Sequence, residues 1–398
     1  MKTKKFPEGF FWGTATSAHQ IEGGQNNDWI EWEPGKINDG TLSGQACDSW
    51  NRYLEDFDLI QKLNNNAYRF SIEWSRIEPE EGKWNQAAIN RYQQMVVELQ
   101  KLGIEPFVTL HHFTNPNWFA KKGGWKNKQA PELFSRYCQK MVESLPPVKY
   151  WISLNEPDVY TELGFLAGYW PPQEKSISAA NEVRKNLVKA HRLAYGLIKK
   201  VDSQSEVGIA KNLIAFDPYR SWLPTDHLAA RLGHQWHNRW FLEQTANSLD
   251  FIGINYYYHS RVKLKLYQSS TFFKDTVPQN VPVSDYGWEI YPEGLGRVIE
   301  FAARFNKPLY ITENGIADAK DKMRIKFIQD HLVVLHQKIL EGYDIRGYFH
   351  WSLMDNFEWR EGYSKKFGLF SVNFKTQERK IRPSGEYYAQ IARTNQLA

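Results

Sequence analysis

The chain has 398 residues, and its 16 Trp, 21 Tyr and 23 Phe make it 15% aromatic beside 42% hydrophobic and 24% charged residues. That content excludes a disordered or low-complexity chain, which would bury too little apolar surface to offset the entropy of ordering. The 50 basic and 45 acidic side chains leave a formal charge of +5, spread without a long block of one sign, which gives no support to a nucleic-acid or membrane-surface role.

Cys47 and Cys138 form no CxxC pair, so neither a zinc ribbon nor a disulfide framework is indicated. The basic start, Met1 to Lys5, runs into Phe6-Pro7-Glu8-Gly9 where a secretory signal would need an apolar run. No stretch approaches the ~20 apolar residues of a membrane span. A soluble, cytoplasmic protein is expected. Sixteen tryptophans exceed what a core needs, and the indole N–H wants a partner, so part of the aromatic surplus should line a sugar-binding or protein-binding surface.

No Pro/Ser/Gly-rich linker and no repeat divides the chain, which reads as one domain over residues 1–398. Short β-type runs occur near Phe10 to Ala15, Ala67 to Ile72, Glu105 to Leu110, Tyr150 to Leu154, Val207 to Lys211, Asp250 to Ile254, Leu309 to Thr312 and Gly347 to His350. Their apolar, aromatic and β-branched content fits parallel strands covered on both faces. Helical patterns lie between them. Ile89, Tyr92, Val96 and Leu99 run to a stop at Gly103, and Ile325, Ile328, Leu332, Leu335 and Ile339 run to Gly342. The alternation of such strands with helices predicts an α/β fold, a single closed (β/α)8 TIM barrel.

In such a barrel, chemistry gathers just past the strands, at the C-terminal face. Gln20, Arg69, His111, Asn155-Glu156, Asn255 with Tyr257, Glu313 and Trp351 all follow candidate strands. Any one of them alone reads equally well as a helix cap or loop polarity. Two carboxylates at strand ends, each beside an amide, form a constellation suited to glycosidic bond cleavage: one donates a proton to the leaving oxygen and the other faces the anomeric carbon. The pair His111-His112 suggests a metal site only weakly, because adjacent strand side chains point opposite ways and no third ligand stands at a telling spacing. Gly294-Leu295-Gly296 lacks the rest of a dinucleotide fingerprint.

Glu156 lies in Ser-Leu-Asn-Glu-Pro and Glu313 in Ile-Thr-Glu-Asn-Gly. With FPEGFFWGTATSAHQIEG from Phe6, YRFSIEWSRI from Tyr68, DFIGINYY from Asp250 and WSLMDNFEW from Trp351, the chain resembles glycoside hydrolase family 1 over nearly its whole length. The resemblance implies a cofactor-free retaining β-glycosidase with Glu156 as general acid/base and Glu313 as nucleophile. It further implies that Arg69, Tyr257 and Asn255 support the nucleophile. Asn155 is matched to the contact with the sugar 2-OH. Gln20, His111, Asn155, Trp351, Glu358 and Trp359 match glycone-binding positions, with Phe367 counted among the substrate-binding residues. Trp288 aligns with an aglycone-side tryptophan, where a structural role is an equal alternative. Where the family's 6-phosphoglycosidase branch looks to carry serine, lysine and tyrosine, this chain has Glu358, Lys365 and Phe367. A carboxylate there would repel a phosphate, so the expected substrate is a small, unphosphorylated β-glucoside, with β-galactosides and β-fucosides also accepted. Transglycosylation by the same carboxylates and a binding-only pseudoenzyme are the alternatives; the presence of both glutamates favours catalysis.

Three departures from the family pattern stand out. The chain between Asn212 and Asp250, linking strands five and six, looks shortened, which puts one outer helix in doubt and suggests a more open cleft. Trp170-Pro171-Pro172 replaces an Ala-Pro-Gly, and Asn115 replaces an apolar residue.

Overall fold

Eight parallel strands close into a barrel in the computed structural model, which describes residues 4–264, 273–275 and 277–397. In chain order they are β1 (Phe11–Ala15), β2 (Ala67–Ser71), β3 (Glu105–Thr109), β4 (Tyr150–Asn155), β5 (Glu206–Asn212), β6 (Phe251–Tyr256), β7 (Leu309–Asn314) and β8 (Ile345–Trp351). Each pairs with its sequence neighbours, and β8 closes on β1 through partners such as Tyr348 with Trp12 and Trp351 with Ala15. The eight β-type runs of the sequence are these strands, with ends moved by one or two residues. Where β8 begins, Ile345 and Arg346 extend the run backwards from Gly347.

The principal helices outside the barrel are α1 (Ser49–Lys62), α2 (Gln86–Lys101), α3 (Ala130–Ser144), α4 (Ile177–Val201), α5 (Pro224–Gly233), α6 (Pro292–Ala303), α7 (Arg324–Leu340) and α8 (Pro383–Thr394). In α2 the Asn85 side chain accepts from the Ala88 N–H at 3.2 Å, satisfying one of the free donors at the helix start. Its buried stripe of Ile89, Tyr92, Val96 and Leu99 faces the barrel. Gly103 and Gly342, at φ +70° and +94°, end α2 and α7 in the left-handed region.

The outer layer is also filled between β5 and β6, where the shortened sequence had put one helix in doubt. A strand at Ala215–Pro218 leads to α5, and α5 continues without a break through a π turn at His234–Arg239 into Trp240–Thr245. Asn238 fastens this run to the strand side, accepting from the Ile214 N–H at 3.0 Å and donating to the Ile214 carbonyl at 2.8 Å. Ala215–Pro218 pairs in parallel with His259–Leu264, which pairs antiparallel with Phe273–Asp275.

Inside the barrel, the floor is aromatic. Phe11, Phe107, Tyr150, Phe251, Tyr310 and Phe349 meet there, and Phe107 stacks on Tyr150 with centroids 4.2 Å apart and planes 2° from parallel. Such pairs are worth about 0.5–1.5 kcal/mol beyond their area burial. Rings of this size fit because facing positions are glycine: a Cβ on Gly13 would come within 2.5 Å of the Phe349 ring, and one on Gly208 within 2.5 Å of Phe251. Trp12, Trp74 and Trp151 are buried between strands and helices, where packing accounts for them. Above the aromatic floor the inward positions turn polar, with Arg69, Thr109, Asn155, Asn255, Thr312 and Glu313 all buried. No helix among the described residues is long and apolar enough to cross a membrane.

Candidate active site

Glu156 follows the last residue of β4 with a left-handed backbone, φ +42° and ψ +57°. That conformation costs a residue with a Cβ about 1–2 kcal/mol, and it is held by the Glu156 N–H donating to the Ala210 carbonyl at 2.7 Å and by Pro157 opening a short helix. The residue is 7% exposed. Its Oε1 accepts two amide hydrogen bonds, from Asn255 Nδ2 at 2.9 Å and Asn212 Nδ2 at 3.2 Å. With both amides on Oε1, Oε2 is the oxygen left to carry a proton. Burial, and after it the charge of Glu313, push this carboxyl up to about 7.

Glu313, near the end of β7, has a different setting. Arg69 Nη1 donates to its Oε1 in a buried ion pair, and the Tyr257 hydroxyl donates to Oε2 at 2.5 Å. Burial raises the Glu313 carboxyl while Arg69 and Tyr257 pull it down. Burial likewise holds the Tyr257 phenol far above its usual range, so it remains a donor. Glu313 therefore owns a cation and a phenol, whereas Glu156 is held by neutral amides alone. Of the two, Glu313 is the one favoured as the anion.

Arg69 ties the site together. Its Nε donates to Thr109 Oγ1 at 3.2 Å, Nη1 also reaches the Thr312 carbonyl at 3.3 Å, and Nη2 donates to Asn155 Oδ1 at 2.6 Å. Asn255 Nδ2 lies 3.2 Å from the same Asn155 oxygen, and its own oxygen accepts from Thr312 Oγ1 at 2.7 Å. The Asn155 amide nitrogen meets His112 Nε2 at 3.1 Å. Gly315, which ends the Glu-Asn-Gly motif, lies against β8: a Cβ there would stand 1.8 Å from the Trp351 carbonyl oxygen.

Beside this network, Gln20 donates to the Phe357 carbonyl at 2.9 Å, to Asn356 at 3.0 Å and to Glu358 Oε2 at 3.2 Å. Burial and the Glu313 charge push Glu358 up to about 8, against hydrogen bonds from Gln20 and Trp351. The His112 ring lies near-parallel to Trp351 and Trp359, both at 6.0 Å with planes 19° and 13° apart. Rim-binding polar groups and flat indole faces suit a sugar ring, which carries hydroxyls at its edge and C–H groups on its faces.

A family profile described as glycosyl hydrolase family 1 matches residues 2–247 and 243–397. The chain belongs to that family. It is 35% identical to Beta-glucosidase A of Thermotoga maritima, covering 100% of both chains. Among solved structures, a beta-glycosidase from Pyrococcus horikoshii superposes with a TM-score of 0.94 at 41% identity, covering 100% of this chain and 96% of that one. The Thermotoga maritima beta-glucosidase in complex with glucoimidazole gives 0.93 at 34% identity, covering 99% of this chain and 100% of that one. As a family 1 enzyme it is a glycoside hydrolase.

Most of the residues singled out in the sequence of this family 1 enzyme converge on the barrel mouth, but His111 does not. Its Nε2 meets Asn115 Oδ1 at 3.2 Å and its ring packs edge-on against Trp125, Phe134 and Tyr160, away from the carboxylates. His112 takes the place assigned to it. The unexpected Asn115 supports that outward arrangement by donating to Asp28 Oδ2 at 2.8 Å and accepting from Trp125 Nε1 at 2.9 Å. Trp170, from the Trp-Pro-Pro variation, packs against Trp29, Phe113 and Trp359, backing one of the platform indoles.

On the other side of the mouth Trp288 stacks on Tyr286, centroids 3.9 Å apart, and on Tyr258 at 5.1 Å, and approaches Tyr257 at 5.7 Å. Phe367 touches Tyr257 and Trp288. Tyr286 and Asn212 join the site without having been identified in the sequence.

Proposed function

We propose that this chain is a retaining β-glucosidase that also accepts galactosyl and fucosyl residues, with Glu156 as acid/base and Glu313 as nucleophile. The observation that carries the assignment is the unequal setting of the two carboxyls: a guanidinium and a phenol on Glu313, two neutral amides on Glu156. Glu313 attacks the anomeric carbon as the proton on Glu156 Oε2 passes to the glycosidic oxygen, and the aglycone leaves as an alcohol. The resulting glycosyl ester on Glu313 has no charge. Glu156, freed of that field, now holds an anion and takes a proton from water as the water oxygen attacks the same carbon. Glu313 departs as carboxylate and the sugar retains its β configuration.

His112, Gln20, Asn155 and Glu358 bind the rim of the glycone, with Trp351 and Trp359 as its apolar walls. Phe367, Trp288 and Tyr286 meet the aglycone. The preference for an unphosphorylated sugar rests on the Glu358 carboxyl, which offers a phosphate no positive charge, and on Lys365, whose ammonium is turned to the Asp285 carbonyl at 2.8 Å and the Tyr286 ring. A panel of aryl β-glycosides and their 6-phosphates, run with wild type and Glu313→Ala, tests the reading. Cleavage of the unphosphorylated glucoside, lost in the variant, is expected; turnover of the 6-phosphates alone, or an unaffected variant, overturns it.

A further inference from the structure

His237, in the π turn between β5 and β6, is 3% exposed and has no part in the reaction as described. Its Nδ1 lies 2.9 and 3.1 Å from the two oxygens of Glu162, and its Nε2 lies 3.0 Å from Asn212 Oδ1. A carboxylate and an amide oxygen can only accept, so both ring nitrogens must donate. The Asn212 oxygen is thereby claimed, and its Nδ2 is the end that reaches Glu156 Oε1 at 3.2 Å. We propose that Glu162 and His237 are positioning residues for Glu156, acting through Asn212 by fixing which end of the amide faces the acid/base carboxyl. The proposal rests on the reading of Glu156 as acid/base.

Without the imidazole, the Asn212 amide gains freedom to turn end for end. Its oxygen would then face Glu156 Oε1, acceptor against acceptor, and the proton would be drawn to Oε1 to bridge them. With the imidazole in place Oε1 is saturated by donors and the proton stays on Oε2. Glu162 holds the ring from the far side, through Nδ1.

The surroundings hold this chain of contacts firmly. Lys211, fully buried at the end of β5, donates to the Asn212 carbonyl at 2.8 Å and to the His237 carbonyl, and pairs with Asp158 at 3.0 Å. One ammonium thus pins the strand end, the π turn and the helix that follows Glu156. On its other side Asp158 meets Arg184 at 3.2 Å, and that guanidinium lies between Trp236 and Trp240 at 4.0 and 4.1 Å. Asp158 is thus shared between the Lys211 and Arg184 cations, and Glu162 is the carboxylate that meets the His237 ring directly.

The test measures kcat/KM for aryl β-glucosides with graded leaving groups in wild type, His237→Ala, Glu162→Ala and Glu162→Gln, with Glu156→Ala alongside. Misplacing a proton donor should affect only substrates that need protonation. Both alanine variants are expected to lose about tenfold on phenyl β-glucoside and less than about twofold on the dinitrophenyl glucoside. Glu162→Gln, whose amide can donate to Nδ1 and leave the proton on Nε2, should recover most of the loss. Glu162 has a side chain 28% exposed, so its variants report even where His237→Ala fails to fold. Equal losses on both substrates, or none, while Glu156→Ala shows the selective pattern, overturn the proposal. A Glu156→Ala enzyme with no leaving-group selectivity refutes the acid/base reading, and this proposal with it.

Discussion

Arg69 reaches Asn155 at 2.6 Å with one arm of its guanidinium while the other arm holds Glu313. A planar fork can serve a carboxylate on β7 and an amide on β4 at once; an ammonium at the same site is a point charge without that span. Arg69→Lys should therefore lose both the orientation of Glu313 and the placing of Asn155, lowering kcat about 100-fold or more, in the range seen when one preorganised charge contact is removed. Steady-state rates on an aryl β-glucoside give the answer, and a loss smaller than about threefold would count against the bridging role.

Tyr257→Phe removes one donor to Glu313 and leaves Arg69 in place. The anion is less favoured, so the acid limb of the kcat/KM profile should move to higher pH, with a rate loss of about tenfold at neutral pH. An unshifted acid limb would show that the phenol contributes only packing.

The pH profile itself follows from the two carboxyls. Glu156, pushed up to about 7, must be protonated for the first step, so kcat/KM should fall as the pH rises through that value. Glu313 must be ionised, and burial raises it from its ordinary 4.5, so activity should rise through a limb above the usual carboxylic range. With a dinitrophenyl leaving group, which needs little protonation, the alkaline fall should flatten. An alkaline limb that is the same for every leaving group would remove Glu156 as its origin.

Glu358 carries a stability prediction. Its carboxyl is pushed from 4.5 up to about 8 in the folded chain, so between those values the folded state binds a proton that the unfolded state has lost. Stability is then full below pH ~4.5 and is lost progressively as the pH rises toward 8. Each tenfold difference in proton affinity is worth about 1.4 kcal/mol, so this term amounts to several kcal/mol before Glu156 and Glu313 share in it. Glu358→Gln should flatten the decline of the Tm across that window. Parallel Tm curves for the two proteins would place the pH dependence elsewhere.

The barrel was legible because its strands are buried on both faces and read as short runs rich in apolar, aromatic and β-branched residues, and the two carboxyls because they end such runs beside amides. The histidines show where this reasoning stops. His111 was matched to a glycone position as the residue that follows the third run; β3 ends at Thr109, the chain turns, and Phe113 adopts φ +74°, so His112 enters instead. Asn212 stood one residue past the expected end of β5, as Asn155 does past that of β4, but Leu213 and not a carboxylate follows it, so nothing marked it out. His237 has no local signal at all: its place depends on a π turn meeting β5, a contact between residues 25 apart in the chain. The shortened look of the segment after Asn212 concealed a complete helical run, because spacing against relatives says nothing of how the remaining residues pack.

The central claim is that Glu313 forms a covalent bond to the sugar. A 2-deoxy-2-fluoro-β-glucoside with a good leaving group slows both steps but releases its aglycone, so the glycosyl ester should accumulate. Mass spectrometry of the digested protein should find one fluoroglucosyl group, on the peptide containing Glu313. An inactivated enzyme labelled on another residue, or turnover of natural glycosides with no adduct and with the α-anomer formed first, would contradict the account.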